Sequence, residues 1–130
     1  MIVEGVGGLL VPLAEQLSVA ELAAQMRLPL LIVAHPELGT VNHTLLTVRW
    51  ARRCRLPILG ILFNHSRLPA QDSMARVARR TNPPLLRRLA RVPILGLLPF
   101  QRGWSYRPPT SAAQAAWLAR HVDVIKLKIV

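Results

Sequence analysis

Residues 28–47 read LPLLIVAHPELGTVNHTLLT, and this stretch decides the fold class. It begins with a continuous apolar run, Leu28–Ala34, which is typical of a strand buried on both faces. A short polar turn follows, and helical spacing then predicts a helix from about Gly39–Thr40 to about Arg53. A buried strand, a turn and a helix in this order predict one unit of an α/β fold.

Three other apolar runs repeat the strand pattern on either side of this stretch. We expect strands at Met1–Val3, Pro57–Phe63 and Val92–Leu98. These runs are continuous rather than alternating, as expected when helices cover both faces of a parallel sheet. The sequence therefore predicts a sheet of four parallel strands.

The segments between and after the strands predict further helices. Ser18 and Glu21 form a capping box at the start of one helix. A helix over Asp72–Arg80 should end before Asn82-Pro83-Pro84, because proline disfavours the helix interior. The alanine-rich stretch Ser111–His121 predicts the last helix.

The composition is that of one globular domain spanning residues 1–130. Hydrophobic residues make up 52% of the chain and charged residues 18%, which excludes a disordered chain. The apolar runs are too short for a transmembrane helix, and no signal peptide is recognisable at Met1. The single cysteine, Cys54, cannot form an internal disulfide, so we expect a reducing, cytoplasmic compartment.

The charge is strongly basic, with a net value of +11, and fifteen of the seventeen cationic residues are arginine. Such a chain attracts phosphate groups of nucleotides or nucleic acids. A solvated arginine surface, or a fragment whose acidic half is missing, explains the charge equally well. Aromatic residues make up only 5%, which argues against a nucleic-acid platform. One group of arginines has two interpretations of its own, a solvated helix face or a phosphate-binding cluster. The group consists of Arg76, Arg79, Arg80, Arg87, Arg88 and Arg91.

Polar residues and glycines follow the predicted strands, at the sheet edge where α/β proteins bind ligands. Glu4, with three glycines in the next four positions, is a candidate Mg²⁺ ligand or an incidental turn residue. A predicted helix begins with Gly39, Thr40, Val41 and Asn42. Its start is either an anion-binding site or an ordinary helix cap. Asn64 is either a residue that hydrogen-bonds to the edge of a nucleobase or an ordinary turn residue. The Pro99 carbonyl can accept a hydrogen bond from a base amino group.

The histidines give no indication of a metal site. His35, His43, His65 and His121 are too scattered along the chain for ligand spacing. The sequence also contains no paired cysteine motif, no HExxH and no Gly-x-Ser-x-Gly elbow. No catalytic residue is therefore assigned from the sequence.

Taken in order, four strings resemble segments of the dethiobiotin synthetase family, and together they cover most of residues 2–100. They are the Glu-Gly-x-Gly-Gly segment within residues 3–13; the strand at 28–34 with the Leu-Gly-Thr-x-Asn-His-Thr-Leu-Leu-Thr helix start at 38–47; LPILGILFN at 56–64; and VPILGLLP at 92–99. The helix start is the most specific of the four strings.

The resemblance implies a P-loop NTPase-like parallel sheet with flanking helices. It implies a ligase of biotin biosynthesis that carboxylates 7,8-diaminononanoate with CO₂, phosphorylates the carbamate with ATP and Mg²⁺, and closes the ureido ring. Glu4 would bind Mg²⁺, while Asn64 and Pro99 would bind the adenine. Residues 39–42 would bind the substrate carboxylate across a homodimer interface.

One departure from the family pattern is large. Family members have a glycine-rich Walker A loop ending in Gly-Lys-Thr, which cradles the phosphates. The lysines of this sequence are Lys126 and Lys128, and neither lies in such a loop. We therefore expect an N-terminally truncated version of the fold that needs a complementing phosphate-binding half. The alternative is a non-catalytic module that binds nucleotide or substrate, or that dimerises.

Overall fold

The computed structural model describes residues 2–104 and 109–123. Two short strands precede the first helix, and strands then alternate with helices. In chain order the elements are β1 (Pro12–Ala14), β2 (Leu17–Ser18), α1 (Val19–Met26), β3 (Leu30–Ala34), α2 (Thr40–Arg53), β4 (Ile58–Asn64), α3 (Ser73–Ala90), β5 (Ile94–Leu98) and α4 (Ser111–His121).

A three-stranded parallel sheet in the order β3-β4-β5 forms the centre of the fold. The expected α/β class is confirmed, but the strand predicted at Met1–Val3 is wrong for the residues that the structure describes. Ile2 is 96% exposed and Val3 is 47% exposed, and neither lies in a strand. Their backbone does not pair with the sheet, so burial cannot hold them in an extended conformation.

The two faces of the sheet are covered unequally. Ile61 and Phe63 point to one face, where they pack with Val48 of α2 and with Leu86 and Ala90 of α3. The alternate residues of the strands belong to the other face, because successive side chains of a strand point to opposite sides.

On that second face, Leu62 and Leu95 pack with Val122 at the end of α4. The edge strand β3 has less cover there, since Leu31 is 39% exposed and Val33 is 60% exposed. The expectation that helices cover both faces therefore holds only in part for the described chain.

The longest helix, α3, continues through Pro83 and Pro84 to Ala90, so the predicted end at Asn82-Pro83-Pro84 is wrong. Beyond the prolines, Leu86 is fully buried and Ala90 is 1% exposed. The Asn82 side chain also donates to the Glu37 carbonyl at 3.1 Å. Burial of the second half against α2 and the sheet outweighs the local cost of the prolines.

The other predicted helices are confirmed, α2 and α4 with their expected starts and ends and α1 with its expected start. Ser18 and Glu21 form the capping box of α1, in which the Ser18 backbone N–H donates to Glu21 Oε2 at 2.7 Å. Before α1, β1 and β2 form a small antiparallel hairpin that the sequence pattern did not indicate. Within the described residues, no helix is both long enough and apolar enough to span a bilayer.

Candidate functional site

The carboxyl ends of β4 and β5 bring two of the predicted site residues to one edge of the sheet. Asn64 is the last residue of β4 and pairs in register with Leu98, the last residue of β5. The next backbone N–H, that of His65, donates to the Leu98 carbonyl at 3.0 Å. Pro99 follows directly, and both Asn64 and Pro99 are partly exposed. Their polar groups are therefore neighbours on the edge at which α/β proteins bind ligands.

The start of α2 leads from the end of β3 at the same edge. Gly39 is the N-cap, with φ +89°, and no side chain caps the helix. Thr40 does not cap: it is the first helical residue, 5% exposed, with its Oγ1 3.4 Å from that of Thr44. Asn42 is exposed on the first turn. The Thr40 N–H donates to the Glu37 carbonyl at 3.2 Å, so within the described residues the first turn offers an anion the N–H groups of Val41 and Asn42 and the positive end of the helix dipole.

A pocket of about 180 Å³ lies between the end of β3 and the first turns of α2. Its walls combine hydroxyl and imidazole groups with aliphatic carbon, which suits a small molecule that has both a charged end and an alkyl chain. The residues that line it include Val33, His35, Thr40, His43, Thr44 and Thr47.

Glu4 is not in a helix or strand of the described structure. It is exposed in the irregular segment before β1, and within residues 2–104 and 109–123 its carboxylate makes no hydrogen bond or ion pair. The neighbouring Gly5 packs closely on Val19, because a Cβ added there would be 2.9 Å from Val19 Cγ1. The structure thus joins Gly39–Asn42, Asn64 and Pro99 to the sheet edge, whereas in the described residues Glu4 has no hydrogen bond or ion pair with them. Its free carboxylate is the hard oxygen donor that Mg²⁺ prefers.

A second cluster of charged groups surrounds Glu37, in the turn between β3 and α2. Glu37 Oε2 is 3.9 Å from His35 Nδ1 and 4.0 Å from the Arg67 guanidinium. Oε1 is 3.9 Å from Arg79 and accepts from the Ala70 backbone N–H at 3.3 Å. The Glu37 side chain is only 15% exposed, so the two guanidinium groups act on a carboxylate that is partly shielded from water.

Two histidine rings meet beside this carboxylate. His35 and His65 form an edge-to-face pair with centroids 5.8 Å apart. His65 is 7% exposed, and burial lowers its pKa, with the nearby His35 contributing in the same direction and Glu37 opposing. His35 Nε2 and His65 Nδ1 are buried and have no hydrogen-bond partner in residues 2–104 and 109–123.

The sequence analysis missed this arrangement, and its inference that the histidines are too scattered is wrong for His35 and His65. Ala34 and Phe63 are register partners in β3 and β4, which brings the ends of the two strands together. One signal was available, since each histidine follows shortly after a predicted strand of the same parallel sheet.

The predicted arginine cluster is for the most part a solvated face. Arg76, Arg80, Arg87, Arg88 and Arg91 are exposed. Arg79 differs, since its side chain is 18% exposed, faces Glu37 and donates to the Ala70 carbonyl at 2.7 Å. Among the described residues, Arg79 is thus the member of this cluster whose side chain is held by Glu37 and by the Ala70 carbonyl.

Comparison with known proteins gives one family match. A family model described as "AAA domain" matches residues 1–105. Among curated proteins, the ATP-dependent dethiobiotin synthetase of Bacillus subtilis (strain 168) is 48% identical over 99 residues, which are 75% of this chain and 40% of the relative.

Two more relatives with the same printed name give similar figures. That of Bacillus velezensis is 45% identical over 98 residues, covering 75% of this chain and 40% of the relative. That of Bacillus cereus (strain B4264) is 42% identical over 103 residues, covering 79% and 40%. The matched part of the chain thus spans about 40% of the length of these curated relatives.

Proposed function

Because the chain belongs to the AAA domain family and is similar to ATP-dependent dethiobiotin synthetases over three quarters of its length, we propose that it serves the same reaction. In that reaction 7,8-diaminononanoate is carboxylated with CO₂, the carbamate is phosphorylated by ATP, and the ureido ring closes. The chain would recognise the adenine and the substrate carboxylate. A complementing half with a Walker A loop would hold the phosphates, because the 130 residues contain no such loop.

Pairing of Asn64 with Leu98, which puts Asn64 beside Pro99, is the observation that supports this proposal most directly. The Asn64 amide provides two donors and one acceptor, and the Pro99 carbonyl provides an acceptor. Together they match the alternating donors and acceptors on an adenine edge. Holding the base on strand ends keeps it in a fixed position, and phosphoryl transfer depends mainly on positioning and charge stabilisation.

The first turn of α2 would bind the substrate carboxylate. Gly39, Thr40, Val41 and Asn42 form an uncapped helix start; the Thr40 N–H already donates to the Glu37 carbonyl at 3.2 Å, so the carboxylate would meet the N–H groups of its neighbours, and the pocket of about 180 Å³ beside them could take the alkyl chain. We propose that this turn serves the site of a second copy, so that the working assembly is a homodimer.

Glu4 would hold Mg²⁺ through its exposed carboxylate, since this ion usually needs only one or two protein carboxylates besides phosphates and water. Bound there, the ion would neutralise charge on the phosphate oxygens. Glu4→Gln keeps the size of the side chain and removes the charge, so it isolates this role from the roles of the sheet-edge residues.

The test measures ADP and dethiobiotin formed from ATP, bicarbonate and 7,8-diaminononanoate. The chain is mixed or fused with the Walker A segment of the Bacillus subtilis relative. We expect turnover only in the complemented sample. Asn64→Ala should raise the KM for ATP about tenfold, as expected for about 1.4 kcal/mol of lost hydrogen bonding. The KM for diaminononanoate should stay the same.

Gln71→Ala is the matched control, because Gln71 is exposed and bonds only the nearby Pro69 carbonyl. It should leave both KM values unchanged. An Asn64→Ala variant with the parental KM for ATP would overturn the adenine assignment. Absence of turnover in every complemented sample would overturn the reaction itself.

A non-catalytic binding or dimerisation module is the second candidate, favoured by the missing Walker A loop in these 130 residues. Calorimetric titration separates the two. Binding of ATP or diaminononanoate by a complemented sample that forms no product supports the module, whereas product formation rejects it.

A further inference from the structure

We propose that His35, Glu37 and His65 form a binding site for a divalent transition-metal ion of the zinc class. This site would be separate from the Mg²⁺ proposed at Glu4, and it goes beyond the proposed ligase function without depending on it. Each of the three residues offers one ligand atom, and these atoms all lie within 4.8 Å of one another.

The distances suit a metal better than direct hydrogen bonding. His35 Nδ1 and Glu37 Oε2 are 3.9 Å apart, which is too long for a hydrogen bond. Two ligands of a tetrahedral zinc ion, each about 2.0–2.1 Å from the metal, are roughly 3.4 Å apart. Small side-chain rotations would therefore bring these two atoms to coordination distance. His65 meets His35 edge to face, with ring centroids 5.8 Å apart, so it borders the same space.

Unpartnered nitrogens provide a second, independent observation. His65 is more than nine-tenths buried, yet among the described residues its Nδ1 has no hydrogen-bond partner; the buried Nε2 atom of His35 has none there either. Burial of a polar group without a partner costs free energy. An ion that accepts the lone pair of His65 Nδ1 would remove this cost, whereas His35 would bind the same ion through Nδ1, the nitrogen that faces Glu37.

The donor set selects the class of ion. Two imidazoles and one carboxylate, with a position left for water, match the three-ligand zinc pattern. Cobalt, nickel and copper ions accept the same donors, whereas Mg²⁺ and Ca²⁺ prefer oxygen. The occupant would therefore be a transition metal.

The surroundings orient the carboxylate. The Ala70 N–H donates to Glu37 Oε1, and the Arg79 guanidinium is 3.9 Å from the same oxygen. The other carboxylate oxygen, Glu37 Oε2, is the one that faces His35. Contacts of this kind around a ligand typically fix its direction and tune its affinity. Arg67 is the competing cation on Oε2, but its side chain is 76% exposed and can turn into solvent when a metal binds.

Zinc binding to the untagged 130-residue chain tests the proposal directly. All titrations use a Cys54→Ser background, because the free thiol of Cys54 could bind zinc by itself. Isothermal calorimetry should give one Zn²⁺ per chain, and an excess of Mg²⁺ should not displace it. Co²⁺ in the same site should show the visible absorption of a four-coordinate ion.

His35→Ala and Glu37→Gln are the main variants, because His35 is 31% exposed and the Gln side chain has the size of Glu. Each should weaken zinc binding by at least about tenfold, since loss of even a supporting partner typically costs about 10–100-fold. Circular dichroism confirms that each variant is folded. His65→Ala removes a buried ring, so it serves only as a supporting variant.

His43→Ala is the matched control, since His43 is exposed and lies outside the cluster. It should bind zinc like the parent. Zinc binding that stays equal to the parent in folded His35→Ala and Glu37→Gln, or a stoichiometry well below one per chain, would overturn the site. Neither result bears on dethiobiotin formation, so failure here is distinct from failure of the proposed function.

Discussion

Asn64 and His65 are adjacent residues at the end of β4, and the structure gives them different surroundings. Asn64 keeps a partly exposed amide beside Pro99, whereas His65 is 7% exposed and meets His35. One side chain is therefore available to a ligand from solvent, and the other belongs to an enclosed cluster. Two functions, adenine recognition and metal binding, are thus proposed for neighbouring positions of one strand end.

Gly96 is the residue at which a single added methyl group should do most damage. It has φ +155°, and a Cβ there would lie 2.0 Å from the backbone carbonyl oxygen of His121. The close approach exists because Gly96 pairs with Val122, which closes the end of α4 onto β5.

Gly96→Ala should therefore lower the free energy of unfolding by about 1–3 kcal/mol, the usual cost of overpacking. The midpoint of urea unfolding measures the change. Gly8→Ala is the matched control, since no atom lies within 4 Å of a Cβ added there and its φ is not in the glycine-favouring region. Equal midpoints for the two variants would contradict the close contact.

At the scale of the element, α3 shows tertiary packing overriding local preference. Pro83 and Pro84 each lack the backbone N–H that a helix interior uses, yet the helix continues to Ala90. Arg52 of α2 holds the end of the helix by donating to the Ala90 carbonyl at 2.7 Å and to the Arg91 carbonyl at 3.2 Å. The half of α3 beyond the prolines thus depends on its neighbours.

Leu86→Ala should accordingly destabilise the protein by about 2–5 kcal/mol, because Leu86 is fully buried in the core cluster. Loss of helical signal in circular dichroism at moderate urea should accompany the change. Leu89→Ala, on the same part of α3 but 49% exposed, should cost much less. Similar losses for both variants would mean that packing is not what maintains this part of the helix.

At the scale of the molecule, the uneven cover of the sheet predicts association. Leu31 and Val33 are on the edge strand β3 and remain 39% and 60% exposed, although they are large aliphatic residues. An edge strand with exposed apolar side chains is a common pairing site.

We expect the parent chain to associate or to be poorly soluble at low micromolar concentration. The double variant Leu31→Lys with Val33→Lys should shift it toward the monomer in sedimentation velocity. Val77→Lys, a change of the same kind at a residue of α3 that is 56% exposed, should leave the association unchanged. A monomeric parent chain at that concentration would refute the prediction.

Much of the fold was predictable because its signals are local. The apolar runs gave the three strands of the sheet, the Ser18–Glu21 capping box gave the start of α1, and residues 40–53 formed the expected helix. That Asn64 and Pro99 lie at the same edge followed from the general rule that parallel strands place their carboxyl ends together. These features depend on residue type, spacing and chain direction alone.

The sequence by itself thus determined the α/β class, most element boundaries and the sheet edge at which the candidate residues Asn64 and Pro99 lie. Only the tertiary structure decided that α3 passes through two prolines and that His35, Glu37 and His65 meet around one carboxylate. The physical reason is that local patterns record what each segment prefers in isolation. Burial and strand register depend on contacts between residues that are distant in the chain. These contacts form only when the segments pack.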